Sequence, residues 1–156
     1  MTGKEILTMN PGRELDAMVA ETMGYKAYKE KRGEYELAVT QRPGDRKPWA
    51  RTQKPDPERY TEITCIEAVK VGFYGTGFPC FSKDISVAWE VVEKLGEFLF
   101  EVHRSEKIRG LAEYKVNILK RSKEYPDDCW NGMITIVRKT APEAICKAAL
   151  LAVLND

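Results

Sequence analysis

Two periods of hydrophobic and polar residues alternate along this chain, and the changes between them mark its elements. Leu15, Met18, Val19 and Thr22 recur at three- and four-residue spacing, which predicts a helix. Asn10-Pro11 supplies its cap and first-turn proline, and Gly24 its stop. Thr2-Gly-Lys-Glu5 predicts a short capped turn before it. Glu34 to Thr40 alternates weakly and predicts a strand. Thr61 to Phe73 reads as a second strand, with Ile63, Cys65, Val69, Val71 and Phe73 at its apolar positions. Ser82-Lys83-Asp84 then opens the clearest helix, with Ile85, Ala88, Trp89, Val92, Leu95 and Leu99 on one face. On that reading Phe98 to Val102 prolongs the helix, and His103 sits at its end. Tyr114, Val116 and Ile118 alternate with Lys115 and Asn117, and Met133 to Val137 is a short apolar run after Trp130-Asn131-Gly132. These two segments predict an antiparallel hairpin. Thr140-Ala-Pro-Glu143 has the capping-box spacing, and the helix after it is apolar almost all round, so it should be buried.

The order α, β, β, α, β, β, α predicts an α+β fold in which three principal helices pack on a mainly antiparallel sheet. Residues 25–60 interrupt this pattern with Pro43-Gly44-Asp45, Lys47-Pro48 and Lys54-Pro55-Asp56-Pro57, all turn signals. The stretch is locally basic, with Arg42, Arg46, Lys47, Arg51, Lys54 and Arg59. It reads as an arm or hairpin inserted into a single domain spanning 1–156.

Composition narrows the function. The chain has 156 residues, 43% hydrophobic and 31% charged, which is globular and enough for one core. A net charge of +1 disfavours a general nucleic-acid binder. No apolar run approaches the ~20 residues of a membrane span, and Met-Thr-Gly-Lys-Glu lacks the apolar core of an export signal. A cytoplasmic protein is expected. Its four cysteines, Cys65, Cys80, Cys129 and Cys146, form no C-x-x-C pair and read as reduced thiols. With His103 the single histidine, neither a His-rich zinc site nor an obvious triad can be built. Asp127-Asp128 after Pro126 reads as an acidic turn. No catalytic set, metal or cofactor is expected.

Two segments carry candidate binding chemistry. The first runs from Gly72 to Lys83. Gly75 and Gly77 let backbone approach a ligand, with Thr76 between them. Tyr74, Phe78 and Phe81 offer aromatic faces for a base. Ser82, Lys83 and the amides of the following turn would hold an anion. The Walker ending is missing. The second segment is the basic arm, where Trp49 could stack while Arg51 and Arg59 pair with phosphate.

Three stretches also resemble a known family. Lys4-Glu5-Ile6-Leu7 with Pro11-Gly12-Arg13-Glu14-Leu15-Asp16 is similar to the opening helix of the phage ABA sandwich domain family. Phe81 to Glu93 resembles its "YSTDISAAWEVVE" stretch, and Thr140 to Leu150 its closing helix. The resemblance covers about the first 24 residues and most of the chain after Pro79. It departs at Phe81-Ser82-Lys83-Asp84 and in the longer, more basic 25–78 segment. It implies an α/β/α sandwich, a phage or prophage origin and residence in the infected host's cytoplasm. It does not fix an activity, because a fold does not. Joined to the loop chemistry, it leads to a non-enzymatic accessory protein, expected as a homo-oligomer. Such a protein would sequester a nucleotide-derived host immune signal of the cyclic nucleotide or ADP-ribose type. The rivals are a protein–protein interaction module and, more weakly, a nucleotide hydrolase using Asp84, Asp127 or Asp128.

Overall fold

The computed structural model describes residues 2–44, 60–73, 77–96, 98–106, 112–121 and 130–154. The fold is α+β, with five helices and two three-stranded antiparallel sheets among the described residues. Its contacts divide it into two compact units, one of residues 1–15 and 80–156 and the other of residues 16–79.

In the larger unit, α1 (Gly3–Thr8) precedes α4 (Ile85–Lys94), β4 (Phe98–Glu106), β5 (Ala112–Arg121), β6 (Trp130–Arg138) and α5 (Ala141–Leu154). The sheet order is β4-β5-β6, with Val102 opposite Val116 and Val116 opposite Ile136. Helix α5 packs on β5 and β6, and α4 and α1 pack on α5. Every residue from Ala141 to Ala152 is therefore buried. Ala144, Ala148, Ala149 and Ala152 let its neighbours come close. The one basic residue in this stretch, Lys147, is only 2% exposed. It donates to Glu143 Oε1 at 2.7 Å and to the Leu7 carbonyl at 3.2 Å. Arg138 completes the cluster, donating to the same carbonyl at 2.7 Å while its Nε lies 3.3 Å from Glu143 Oε1. A buried ammonium is tolerated here because each of its bonds reaches an oxygen. On the sheet's opposite face, Asn117 bridges the strands, donating to Glu101 at 3.2 Å and accepting from Thr135 at 3.0 Å.

The smaller unit holds most of α2 (Arg13–Thr22), then β1 (Lys26–Arg32), β2 (Tyr35–Gln41), β3 (Tyr60–Ile63) and α3 (Cys65–Val71). Its sheet order is β2-β1-β3. Arg32 pairs with Tyr35 across a two-residue turn, where Gly33 takes φ +61°. That left-handed value suits the primed turns of tight hairpins and costs glycine little. Helix α3 packs on β1 and β2, where the small residues Ala27 and Ala38 are buried. Glu30, also buried, accepts from the Tyr60 hydroxyl at 3.0 Å.

The capped turn at Thr2, the strand at 35–41, the β5–β6 hairpin and the buried last helix match the sequence reading. Three assignments need correction. The expected strand at 61–73 is mostly α3, because Thr64 and Glu67 form a capping box that starts a helix after a four-residue strand. The long helix expected to reach Val102 stops at Lys94, and β4 begins after Gly96. The third is an omission: residues 26–32, within the stretch read as an arm or hairpin, form strand β1, whose register with β2 and β3 satisfies the backbone of a segment rich in Lys and Glu.

Candidate functional site

The Gly72–Lys83 segment starts from a fixed end. Helix α3 closes at Gly72, whose carbonyl accepts from Ala38 N at 2.7 Å, and Phe73 bridges to Ala38 beside β2. The described chain resumes at Gly77. Gly77 takes φ +69° with the Phe73 ring against it, and a Cβ there would lie 2.7 Å from Phe73 Cδ2. Phe78 is 2% exposed and meets two rings edge-on, Phe73 at 5.1 Å and Tyr25 at 6.1 Å between centroids. The two ends flanking residues 74–76 thus share one aromatic cluster.

This packing changes the roles read from sequence. Phe78 spends its faces on Tyr25 and Phe73, and Phe81 is 0% exposed in the larger unit, so both rings are core. Ser82 is buried too, while Lys83 is exposed. The amides expected to hold an anion already have partners. Lys83 N and Asp84 N donate to the Cys80 carbonyl at 3.1 and 2.9 Å, and Ser86 N to Asp84 Oδ1 at 2.9 Å. The Ser86 hydroxyl and amide hold the Asp84 carboxyl below its ordinary value of 3.8. The cap of α4 is therefore an anion of its own, and a phosphate would be repelled there. Trp49, Arg51, Arg59, Tyr74, Gly75 and Thr76 lie outside the described residues, as do Asp127, Asp128 and Cys129.

A cavity that sequence reasoning missed lies in the smaller unit, about 440 Å³ in volume, between the end of α2, β1, β3 and the start of α3. Glu21, Glu62 and Glu67 line it against Lys26. Each carboxylate has a local task. Glu21 accepts from Cys65 N at 2.7 Å, Glu62 lies 3.5 Å from Lys26 Nζ, and Glu67 accepts from Thr64 N at 2.9 Å. The cavity's acidity suits no phosphate. Nor does it hold a nucleophile, since burial, and then Glu21, push the Cys65 thiol up to about 12. The Thr64-x-x-Glu67 spacing was the signal that this corner begins a helix.

Cys80 is exposed and Cys146 buried, both free thiols. His103 stands on β4, its Nε2 3.7 Å from Glu101 Oε2. Among the described residues, no group of three or more His, Cys, Asp or Glu could hold a metal ion, and no helix is long and apolar enough to cross a membrane.

The family model of the phage ABA sandwich domain matches residues 52–150. The match runs from before β3 into α5 and so includes 52–78, half of the Tyr25–Phe78 segment expected to depart from the family, while omitting the opening helix. No curated protein and no solved structure matches the chain.

Proposed function

The chain belongs to the phage ABA sandwich domain family, and from that premise we propose that it is a non-enzymatic phage accessory protein that captures a nucleotide-derived ligand. The observation that carries this reading is the pair of anchored ends, 72–73 and 77–78, that flank residues 74–76. Gly72 is bonded to β2 and Phe78 is clamped by Phe73 and Tyr25, so Tyr74-Gly75-Thr76 spans two fixed points. Tyr74 stacks a base, the amides near Gly75 and Thr76 take polar edges, and Trp49, Arg51 and Arg59 supply stacking and phosphate contacts. Phe78 supports this tip from the core and does not touch the ligand. Sequestering a host immune signal of the cyclic nucleotide or ADP-ribose type follows as the use of such a site.

The test is incubation with a panel of such nucleotides, removal of free ligand, heat denaturation and mass identification of what is released. An intact nucleotide supports capture, and a cleaved one makes the protein a hydrolase. Tyr74→Ala and Arg51→Ala should each weaken retention about tenfold, the scale of one lost stacking or charged contact. Retention of no nucleotide sinks the reading.

A second reading, a protein–protein module, is favoured by Ile85 and Trp89. They lie one turn apart on α4 and are 44% and 42% exposed. Half-exposed tryptophan beside an aliphatic residue is the composition of an interface centre.

A further inference from the structure

Strand β4 is nine residues long and, among the described residues, pairs with β5 alone, at one end of the order β4-β5-β6. Such an edge presents a row of backbone donors and acceptors to any strand that fits it. We propose that β4 pairs antiparallel with β4 of a second copy of this chain, about a two-fold axis at Val102. The pairing would join two three-stranded sheets into one continuous sheet.

The backbone supplies the first argument. Phe98 N donates to the Leu95 carbonyl at 2.9 Å, so it turns away from its β5 partner Lys120. Hydrogen-bonding direction alternates along an antiparallel strand, which places the outward donors and acceptors at Phe100, Val102 and Arg104. A two-fold axis at Val102 lets this residue exchange both bonds with its symmetry mate.

The side chains supply the second. With Val102 at the centre, Glu101 faces the partner's His103 and His103 faces the partner's Glu101. Both sit in non-hydrogen-bonded pairs, where side chains approach most closely. Their side chains are 45% and 61% exposed, and Asn117 already holds Glu101 in place from the β5 side. The same register sets Arg104 across from the partner's Phe100, a cation over an aromatic ring. Moving the axis one residue either way sets Glu101 against itself or His103 against itself. Charges on an edge usually discourage pairing. Here their order along the strand makes one self-pairing attractive.

Sedimentation equilibrium on the full chain tests this. The unmodified protein should show a reversible monomer–dimer equilibrium. Glu101→Lys sets a cation against the partner's His103 and should raise the dissociation constant about tenfold or more. His103→Glu sets two carboxylates face to face and should do the same. The double variant E101K/H103E sets opposite charges face to face and should restore the dimer. All these positions are exposed, and circular dichroism checks that each variant keeps its fold. A monomer at every concentration overturns the proposal. So does a dimer indifferent to the single reversals, which would be using another surface such as Ile85 and Trp89, or a double variant that fails to recover.

Discussion

A methyl group added at Gly77 would press on the Phe73 ring at 2.7 Å in a left-handed conformation that side chains avoid. Gly77→Ala should therefore destabilise the protein by about 2 kcal/mol, measured by denaturant unfolding. Phe73 is the same ring that holds Phe78. The variant should also weaken nucleotide retention, if residues 74–76 bind, without removing any ligand contact. The cysteines make a second case. Cys80 is exposed, whereas Cys65 is buried and shifted to about 12. Native alkylation at pH 8 followed by peptide mass analysis should label Cys80 and spare Cys65 and Cys146 until the chain unfolds. Labelling of Cys65 at the rate of Cys80 would mean its corner opens readily. Lys147 gives a third. Lys147→Met leaves Glu143 with Arg138 as partner, so thermal unfolding should show a loss of about 2 kcal/mol, below the full cost of an unpaired buried carboxylate.

Three elements begin with an acidic cap or capping box: Glu5 on α1, Glu67 on α3 and Asp84 on α4. The backbone amide of Thr2 lowers Glu5, that of Thr64 lowers Glu67, and the side chain of Ser86 lowers Asp84, from ordinary values of 4.5, 4.5 and 3.8. A carboxylate with a depressed folded value stabilises the fold above its unfolded value, and that contribution is lost as pH falls through the folded one. The combined variant E5Q/E67Q/D84N should thus melt below the unmodified protein at pH 7. The gap should close as pH falls below 4.5, and a gap that widened in acid would reverse the sign of this account. These elements also mark where sequence was legible. The last helix could be read because its apolar residues fit no exposed position, and β5–β6 because Val116 and Ile118 alternate cleanly. Helix α3 was hidden by Ile63, Val69 and Val71, whose branching suggests strand, although the Thr64–Glu67 box overrode it. Strand β4 was hidden because Leu95 and Leu99 continue the helical spacing of α4 across Gly96. Lys26–Arg32 has five charged residues among its seven, and only its pairing with β2 and β3 decided it. The candidate loop was found by composition, but burial of Phe78 and Phe81 depends on distant partners such as Tyr25, which no local pattern displays.

At the scale of the molecule, the two units have cores of their own. Val116, Ile118 and Ile136 belong to one with α5, and Ala27, Ala38, Cys65 and Ala68 to the other. Hydrogen exchange on Gly77→Ala should accordingly rise first in β1, β2 and β3 while the amides of α5 stay protected. A uniform rise across both units would show one cooperative block. The larger unit carries a further consequence in the bonds that Arg138 and Lys147 make to Leu7. These partners stand 131 and 140 residues apart in the chain. During synthesis α1 emerges before the strands and α5, and its anchoring carbonyl must wait for the residues that separate it from Arg138 and Lys147 to be translated. Until then the cluster cannot close, so this unit matures only after α5 has left the ribosome. A translation pause before Arg138 would leave a nascent protein protease-sensitive, and release would make it resistant at once.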